Sequence, residues 1–296
     1  MNRINISMSN RPVHSIPRGE LWLGTDLLKR AGYTDTLENH FRLVDQLGQD
    51  MICLPIADDT SHRPVLGYRY FDCRDLNQAT RNRDRFVAAV VDGPFQELTN
   101  RMGLMAVLTG WVQKRPEMAR AYAVEQTKVL ELISGCLDQG VHAVVIAEDL
   151  AADQGLLMSP TDIGTLCSSF YTRAVPIIHE ANARAFLHSC GNITQLITLI
   201  KTWQVDGLAS VQHRANDLPG LRNALGSSLV IMAGIDAELL ASDDPRPDVL
   251  KDFENLITSL APGGGLILSS SCGLYSGDFF ERIQRIYAMA DRLVED

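Results

Sequence analysis

Seven short runs of apolar, mostly β-branched residues recur along the chain, and amphipathic helical patterns separate most of them. The runs occupy residues 51–56, 86–92, 141–147, 184–189, 206–211, 228–234 and 265–271. Runs that are apolar throughout are typical of strands buried on both faces, as in a parallel sheet. Strands that alternate with helices form right-handed βαβ units. The pattern therefore predicts an α/β fold.

The succession of these units favours a (β/α)8 TIM barrel, with an eighth strand expected in the N-terminal half. The chain has 296 residues, 46% of them hydrophobic, which is enough for one sizeable core. We therefore predict a single domain over residues 1–296. A doubly wound open sheet is the alternative architecture. The charged residues 57–85 are expected to form a loop or hairpin over one end of the barrel.

Two helix starts are marked by side chains that can accept hydrogen bonds from free backbone N–H groups. Ser159, followed by a proline and an acidic first turn, predicts an N-cap. Asn192 and Gln195 have the spacing of a reciprocal capping box, which predicts a second helix start.

Composition argues against nucleic acids and membranes as partners. The formal net charge is −9, from 27 basic and 36 acidic residues, without runs of Lys or Arg. The polar N-terminus has no stretch like a signal peptide, and the apolar runs are too short to span a bilayer. Six scattered cysteines do not resemble a secreted disulfide framework. We therefore expect a cytoplasmic protein.

Polar residues with catalytic or metal-binding potential follow the ends of several predicted strands. In α/β barrels the active site lies at the C-terminal ends of the strands. The residues in these positions are Glu148, Asp149, His188, Cys190, Gln212, His213, Asp236 and Cys272. Residues far apart in sequence are thus expected to meet at one rim.

His188 and Cys190 form an H-x-C pair at the end of a predicted strand. Alternate residues of an extended strand point the same way, so both side chains can face a common centre. Cys272, after the last strand, can supply a third ligand. An imidazole and two thiolates suit Zn2+, and three protein ligands leave a fourth position for substrate or water. Buried structural cysteines are the alternative explanation.

Glu148 and Asp149 form a pair of carboxylates at another strand end. Such a pair at a barrel rim can orient a metal ligand, hold a substrate cation or transfer a proton. Solvated loop charge is the alternative explanation.

Several segments, in consistent order along nearly the whole chain, resemble the uroporphyrinogen decarboxylase superfamily. They are PRGELW at 17–22, DGPF at 92–95, GLLMSPTDI at 155–163, FLHSCGN at 186–192, DGLASVQ at 206–212, VIMAGID at 230–236 and GGGLILSSSCG at 263–273. The resemblance implies a TIM barrel with its site at the C-terminal rim.

Two branches of that superfamily differ in their chemistry. The true decarboxylases use no metal and hold porphyrinogen carboxylates with an arginine-rich segment; Arg11 and Arg18 lie in a different context. The methylcobalamin:coenzyme M methyltransferases bind zinc through H-x-C and a distant cysteine. His188, Cys190 and Cys272 match that pattern, so the resemblance implies that they bind zinc.

The resemblance further implies transfer of a methyl group from a methylated corrinoid, protein-bound or free methylcobalamin, to a thiol or another small nucleophile. A corrinoid protein would then dock transiently over the rim. Glu148, Asp149 and Asp236 are the predicted catalytic or orienting residues, and Gln212 and His213 the predicted substrate-binding ones. Gln212 is the nearest counterpart of a glutamate in cobalamin-independent methionine synthase. A decarboxylase-like lyase acting on a tetrapyrrole and a non-catalytic corrinoid- or tetrapyrrole-binding barrel remain alternatives.

Overall fold

The computed structural model describes residue 4 and residues 15–60, 67–81, 85–226 and 228–295. Seven parallel strands form one sheet, and two short antiparallel strands form a hairpin beside it. In chain order the strands are β1 (Met51–Ile56), β2 (Phe86–Asp92), β3 (Ala143–Ala147), β4 (Ala151–Ala152), β5 (Gly155–Leu156), β6 (Arg184–His188), β7 (Gly207–Val211), β8 (Val230–Ile235) and β9 (Leu266–Ser270). All seven strands predicted from the sequence are confirmed, with ends that agree to within two residues.

The sheet has the order β1-β2-β3-β6-β7-β8-β9, which follows the order of its strands along the chain. A doubly wound sheet reverses its strand order at a switch point, so this order excludes that alternative. The sheet is a curled half-barrel, in which no pairing of β1 with β9 occurs within the described residues. The α/β prediction is therefore confirmed.

A short extended segment lies between the two edge strands of the sheet. The backbone N–H of Leu268 in β9 donates to the carbonyl of Pro17 at 2.7 Å, and Gly19 N–H donates to Leu268 at 3.2 Å. On the other side, Asp50 and Met51 donate to the Arg18 carbonyl at 2.9 and 3.2 Å. The predicted eighth strand is not formed among the described residues, and this segment occupies the gap between the two edge strands.

Both faces of the sheet are buried, which explains the unbroken apolar runs in the sequence. Side chains on the concave face, such as Met51, Cys53 and Val145, pack together inside the curl. Alternate residues, such as Ile52 and Val144, pack against the surrounding helices in a larger cluster. This alternation follows from the two-residue period of a strand.

Twelve α-helices cover the described part of the chain outside the sheet. They are α1 (Thr25–Arg30), α2 (Leu37–Gln46), α3 (Asp75–Thr80), α4 (Pro94–Met102), α5 (Leu104–Gln113), α6 (Arg115–Asp138), α7 (Pro160–Glu180), α8 (Ile197–Trp203), α9 (Leu218–Leu225), α10 (Ala237–Ala241), α11 (Pro247–Leu260) and α12 (Phe279–Glu295). Within the described ranges, no helix combines the length and the apolar character needed to cross a bilayer.

The predicted N-cap of α7 is confirmed, because Ser159 Oγ accepts a hydrogen bond from Asp162 N–H at 3.1 Å. The predicted capping box at Asn192 is wrong. Asn192 Oδ1 accepts from Thr194 N–H at 3.0 Å, and a 3-10 turn over Thr194–Leu196 delays the start of α8 to Ile197. The side chain of Asn192 stabilises that turn, so Gln195 is not needed to pair with it.

The segment predicted to be a loop or hairpin over one end contains the helix α3, and residues 61–66 and 82–84 of it lie outside the described residues. Phe71 N–H donates to the Pro55 carbonyl at 2.8 Å, and Ala57 N–H donates to Phe71 at 3.2 Å. These bonds hold the segment beside the C-terminal end of β1. Residues 67–71 therefore lie at this end of the sheet, as predicted, whereas α3 runs back to Gln139 before β3 and is neither loop nor hairpin.

Candidate metal and substrate site

Three candidate ligands follow their strands at the same distance. Asp149 lies two residues beyond β3, Cys190 two residues beyond β6 and Cys272 two residues beyond β9, while His188 is the last residue of β6. Because the C-terminal ends of parallel strands meet at one edge of the sheet, all four side chains line one cavity of about 170 Å³. The predicted gathering at one rim thus applies to these four residues.

Asp149, His188 and Cys190 form a compact cluster. Their nearest ligand atoms all lie within 4.8 Å of one another. His188 Nε2 is 3.7 Å from Cys190 Sγ and 3.8 Å from Asp149 Oδ1. An imidazole nitrogen, a sulfur and a carboxylate oxygen that converge in this way could hold a metal ion.

The orientation of the His188 ring is fixed by a hydrogen bond to the neighbouring strand. Its Nδ1 donates a hydrogen bond to the Ala209 carbonyl of the neighbouring strand at 2.8 Å. The other ring nitrogen, Nε2, therefore presents its lone pair to Cys190 and Asp149. Burial lowers the pKa of His188, which keeps the ring neutral. A histidine anchored through one nitrogen and neutral at the other is typical of a metal ligand.

The loop after Cys190 is held by its backbone. Cys190 N–H donates to Asp149 Oδ1 at 2.9 Å, so the aspartate also orients the cysteine. Gly191 has φ +77°, and a Cβ there would lie 2.5 Å from the Ala152 carbonyl. Only glycine fits this close approach. Burial raises the pKa of the Cys190 thiol to about 12, so a thiolate there requires a cation beside it.

Cys272 lines the same cavity but is not a member of the compact cluster. Its Sγ donates to the Gly273 carbonyl at 3.4 Å. Burial raises the pKa of this thiol to about 11. The structure thus brings Cys272 to the same cavity as His188 and Cys190, with its sulfur outside the group of converging ligand atoms.

A buried carboxylate lies beneath the Cys272 loop. Glu20 is 1% exposed, and its oxygens accept hydrogen bonds from Ser270 N–H at 3.0 Å and from Ser270 Oγ at 2.5 Å. Tyr287 OH donates to the same carboxylate at 3.3 Å. Ser270 Oγ in turn accepts from Gly273 N–H at 3.0 Å. Burial raises the pKa of Glu20 to about 7.

Four aromatic side chains form one wall of the cavity, which we call the aromatic wall: Trp22, Tyr68, Tyr70 and Tyr275. The ring of Tyr68 lies 5.4 Å from Tyr70, 5.8 Å from Tyr275 and 6.1 Å from Trp22 between centroids. Trp22 also meets His188 edge-on at 4.8 Å. The aromatic wall is therefore in direct contact with a candidate metal ligand.

Glu148 does not line the cavity, although it precedes Asp149. It is fully buried on the other side of β3, where its oxygens accept from Phe95 N–H and Tyr171 OH, each at 2.7 Å. Burial raises the pKa of Glu148 to about 7. This carboxylate thus connects β3 to α4 and α7.

Gln212 also lies behind the cluster. Its side-chain oxygen accepts a hydrogen bond from Gly191 N–H at 2.6 Å. Asn216, which sequence analysis did not select, donates to the Gly191 and Gln212 carbonyls, each at 2.9 Å, and accepts from Ile193 N–H at 2.9 Å. Both side chains therefore support the loop that carries Cys190.

His213 and Asp236 lie apart from the cavity. Their side chains approach each other to 3.9 Å, and Asp236 also lies 3.4 Å from Arg214 Nε. Asp236 accepts from Glu238 N–H at 2.8 Å and so caps α10. His213 borders a separate surface groove with Arg214. The structure thus does not bring these two residues to His188.

The cavity also contains residues that were not among the predicted site residues. Trp22 lies in PRGELW, one of the segments that carry the family resemblance, so that segment was the available signal. Asp92 is the last residue of β2, so the pattern of polar residues at strand ends could have indicated it. Tyr68 and Tyr70 alternate in an extended stretch, which places both on one side. Nothing local in the sequence indicates that this side faces the cavity.

The fold and the site define a parallel α/β protein whose candidate metal ligands and substrate cavity lie at the C-terminal edge of its sheet. Residues 49–293 match the family model described as uroporphyrinogen decarboxylase (URO-D). The chain belongs to this family, which confirms the resemblance. No curated protein matches the chain significantly.

Solved structures with the same fold include proteins of several different kinds. A methyltransferase from Methanosarcina mazei superimposes with a TM-score of 0.76 at 13% identity, covering 98% of this chain and 97% of that one. A putative vitamin-B12 independent methionine synthase from Listeria monocytogenes gives 0.56 at 13%, with coverage of 95% and 98%. A sugar phosphate isomerase/epimerase from Parabacteroides distasonis gives 0.58 at 12%, with coverage of 93% and 95%. At these identities the likeness establishes the fold alone.

Proposed function

We propose that this protein is a zinc-dependent methyltransferase that moves a methyl group from a methylated corrinoid to a thiol or similar small nucleophile. The observation that carries the proposal is the convergence of His188 Nε2, Cys190 Sγ and Asp149 Oδ1 within 4.8 Å, in a cavity that Cys272 also lines. The fold shared with a methyltransferase and a methionine synthase-like protein supports it.

We propose His188, Cys190 and Cys272 as the zinc ligands. The donor set fits the ion, because burial lowers the pKa of His188 and so keeps its ring neutral, while the Ala209 carbonyl fixes which nitrogen carries the proton. Burial also raises the pKa of both thiols, so that a cation is needed to ionise them. Asp149 then orients Cys190 through its backbone N–H. The competing ligand set replaces Cys272 by Asp149, and the experiment below separates the two.

When bound, Zn2+ would supply the positive charge that ionises a coordinated substrate thiol at neutral pH. The protein's own residues would position the reactants. Trp22 fixes one face of His188, Gln212 and Asn216 hold the loop of Cys190, and Glu20 holds the loop of Cys272.

The architecture proposed for this function is a closed (β/α)8 barrel. In it, residues 17–19 take the place of the eighth strand, because their backbone bonds reach both β1 and β9. The cavity then opens at the C-terminal rim, where TIM-barrel enzymes carry their sites. A corrinoid protein would dock transiently over this rim and present its methyl group to the cavity.

Zinc content tests the proposal first. Protein purified under reducing conditions without chelator is expected to contain about one zinc per chain. Cys272→Ser should remove it if Cys272 is a ligand, and Asp149→Asn should remove it if Asp149 is. Cys167→Ser, a fully buried cysteine outside the cavity, is the matched control. Protein that neither contains nor takes up zinc would contradict the proposal.

A uroporphyrinogen decarboxylase-like lyase is the second candidate, because the family model bears that description. It predicts metal-free turnover and basic residues that hold porphyrinogen carboxylates. None of the described residues lining the cavity is lysine or arginine, which favours the methyltransferase. Tetrapyrrole binding without turnover would instead support a non-catalytic barrel.

A further inference from the structure

Two cysteines that are not candidate metal ligands lie side by side where the chain before α3 meets the end of α6. Cys73 Sγ is 3.9 Å from Cys136 Sγ, within hydrogen-bonding distance for two thiols. Both are free cysteines, and neither is among the described residues that line the cavity. Because a disulfide bond is about 2.05 Å long, the two sulfurs need to approach by only roughly 2 Å for the bond to form.

The chain around Cys73 is arranged for this approach. Cys73 lies in the turn that precedes α3, outside regular secondary structure. Its sulfur rests beside Gly135 on α6, where a Cβ would lie 3.4 Å from it. Since Gly135 has no side chain, the turn can come close to the helix backbone. At the other end of α3, Thr80 Oγ1 donates to the Gln139 carbonyl at 2.7 Å, so α3 is already docked on the end of α6.

The two sulfurs differ in their exposure and in their acidity. Cys73 is partly exposed, whereas Cys136 is fully buried. The hydrogen bond with the Cys136 thiol lowers the pKa of Cys73, against the opposing effect of burial. The hydrogen bond to Cys73 and burial both raise the pKa of Cys136. An oxidant in solution therefore meets Cys73 first, and Cys136 lies behind it as a second thiol.

From these observations we infer that Cys73 and Cys136 form a redox-modification site, at which a hydroperoxide converts two neighbouring thiols to a disulfide. The Cys73 thiolate attacks a peroxide oxygen and becomes a sulfenic acid, and the other oxygen leaves as an alcohol, which takes the proton that Cys73 lost. The Cys136 sulfur then attacks the sulfenic sulfur and forms the S–S bond. The hydroxide that leaves takes the Cys136 proton and becomes water. Two thiols are oxidised and one hydroperoxide is reduced, independently of the proposed function.

The disulfide would fasten one wall of the cavity to α6. Tyr68 and Tyr70 line the cavity and lie on the same segment as Cys73, a few residues before it. A covalent bond between this segment and α6 restricts the motion of residues 67–81. Oxidation of the pair therefore reaches the wall of the cavity without involving a candidate metal ligand.

Peptide mapping of the whole protein tests the site. The native protein is treated with increasing concentrations of tert-butyl hydroperoxide, its remaining thiols are alkylated under denaturing conditions, and it is digested with trypsin without reduction. Peptide 70–74 should become linked to peptide 129–173, at lower oxidant than is needed to modify the buried Cys53. If Cys73 remains unlinked, or links only to another chain, the inference is overturned.

Three serine variants identify the sulfurs that react. Peptide 129–173 also contains Cys167, so the link must persist in Cys167→Ser. Cys136→Ser removes the second thiol, and the sulfenic acid on Cys73 should then persist and be trapped by dimedone in several-fold higher yield than in the unaltered protein. Cys73→Ser should leave the buried Cys136 unmodified at the same oxidant concentration. Loss of the link in Cys167→Ser, or a dimedone adduct on Cys136 instead of Cys73, would overturn the assignment.

Hydrogen exchange measures the effect on the wall of the cavity. In the oxidised protein, the amides of residues 67–81 should exchange roughly threefold or more slowly than in the reduced protein, because local opening is restricted. Dithiothreitol should restore the original rate. Cys73→Ser, treated with the same oxidant, is the control and should show no slowing. Equal exchange in the linked and reduced proteins would overturn the coupling between this cysteine pair and the cavity.

Discussion

The Nδ1 of His188 donates a hydrogen bond to the carbonyl oxygen of Ala209 at 2.8 Å, across the pair of strands β6 and β7. The ladder between β7 and β8 is interrupted at this point, between Leu208 and Val211. Ser210, the next residue, has φ +50°. The irregularity frees the Ala209 carbonyl from regular strand pairing and directs it to the histidine. Irregularities of this kind often re-aim groups next to functional sites.

We predict that Ser210→Gly stabilises the protein. A left-handed conformation costs roughly 1–2 kcal/mol for a residue with a side chain, and glycine relieves it. The free energy of unfolding should therefore rise by roughly 1 kcal/mol, measured by chemical denaturation, with zinc content unchanged. Ser271→Gly is the control, a buried serine without positive φ, and should lose roughly 0.5–1 kcal/mol. An equal decrease in the free energy of unfolding in both variants would show that Ser210 is not strained.

Glu20→Gln should change how stability depends on pH. The folded pKa of about 7 lies above the ordinary value of 4.5, because burial disfavours the carboxylate. The folded state therefore binds the proton more tightly, and stability falls as pH rises from about 4.5 to 7. The pKa difference corresponds to roughly 3 kcal/mol, which the glutamine variant should not lose over this window.

Denaturation midpoints measured at pH 5 and pH 8 check this prediction. Glu281→Gln is the control, because its exposed carboxylate pairs with Arg30 and has a lowered pKa. The Glu281 carboxylate stabilises the folded state above its ordinary pKa, and this stabilisation is lost as pH falls. Its pH dependence is thus opposite to that of Glu20. A Glu20→Gln profile parallel to that of the unaltered protein would show that Glu20 ionises normally in the folded state.

Gly191→Ala should destabilise the loop of Cys190. The residue combines φ +77° with a Cβ position 2.5 Å from the Ala152 carbonyl, which is backbone and cannot move cheaply. Gly103→Ala is matched in φ, at +84°, but a Cβ there meets nothing within 4 Å. In the control, the free energy of unfolding should fall by roughly 1–2 kcal/mol. In Gly191→Ala it should fall by more than that, and the proposed zinc should also be lost. Thermal unfolding and elemental analysis measure both, and similar losses with zinc retained would contradict the close approach.

Asn216→Ala should weaken metal binding from a distance. The side chain makes three hydrogen bonds to the backbone around Gly191, and its loss leaves buried groups unpaired at roughly 1–3 kcal/mol. Zinc affinity, measured by competition with a chromophoric chelator, should fall roughly 10- to 100-fold, as for groups that orient metal ligands. Asn255→Ala, on α11 where the helix borders the separate groove, is the control. Unchanged affinity would limit Asn216 to a structural role.

The strands could be predicted because their signal is local, and their alternation even separates two adjacent acids. Val145 faces the inside of the curl, so Asp149, an even number of residues further on, reaches the cavity, while Glu148 faces the helices. In the same way, Phe186 faces inward, and His188 and Cys190 follow it at two and four residues. The alternation of strand residues therefore predicts that Asp149 faces the cavity and that Glu148 does not.

Other parts of the site depend on contacts that no local pattern encodes. Ser271 and Cys272 are neighbours and would point to opposite faces of a regular strand, yet both line the cavity. The chain turns at Gly273, where φ is +76°, and this turn brings Cys272 to the cavity. The side chain of Gln212 turns back to Gly191, which propensities do not indicate. Tyr68 and Tyr70 join the cavity through a segment that is far in sequence from Trp22, His188 and Tyr275.

The pairing of Glu20 with Ser270 joins positions 250 residues apart. On the ribosome, the first of these residues is therefore made long before its partner, and the loop under Cys272 cannot be held until β9 has been synthesised. Until then, the nascent chain exposes the side of the segment at residues 17–19 that pairs with β9, and a carboxylate without its hydrogen-bond donors. Unpaired edges of this kind promote association between chains. We therefore expect the cavity around Cys272 to form late in biogenesis, and shortened translation products to depend on chaperones.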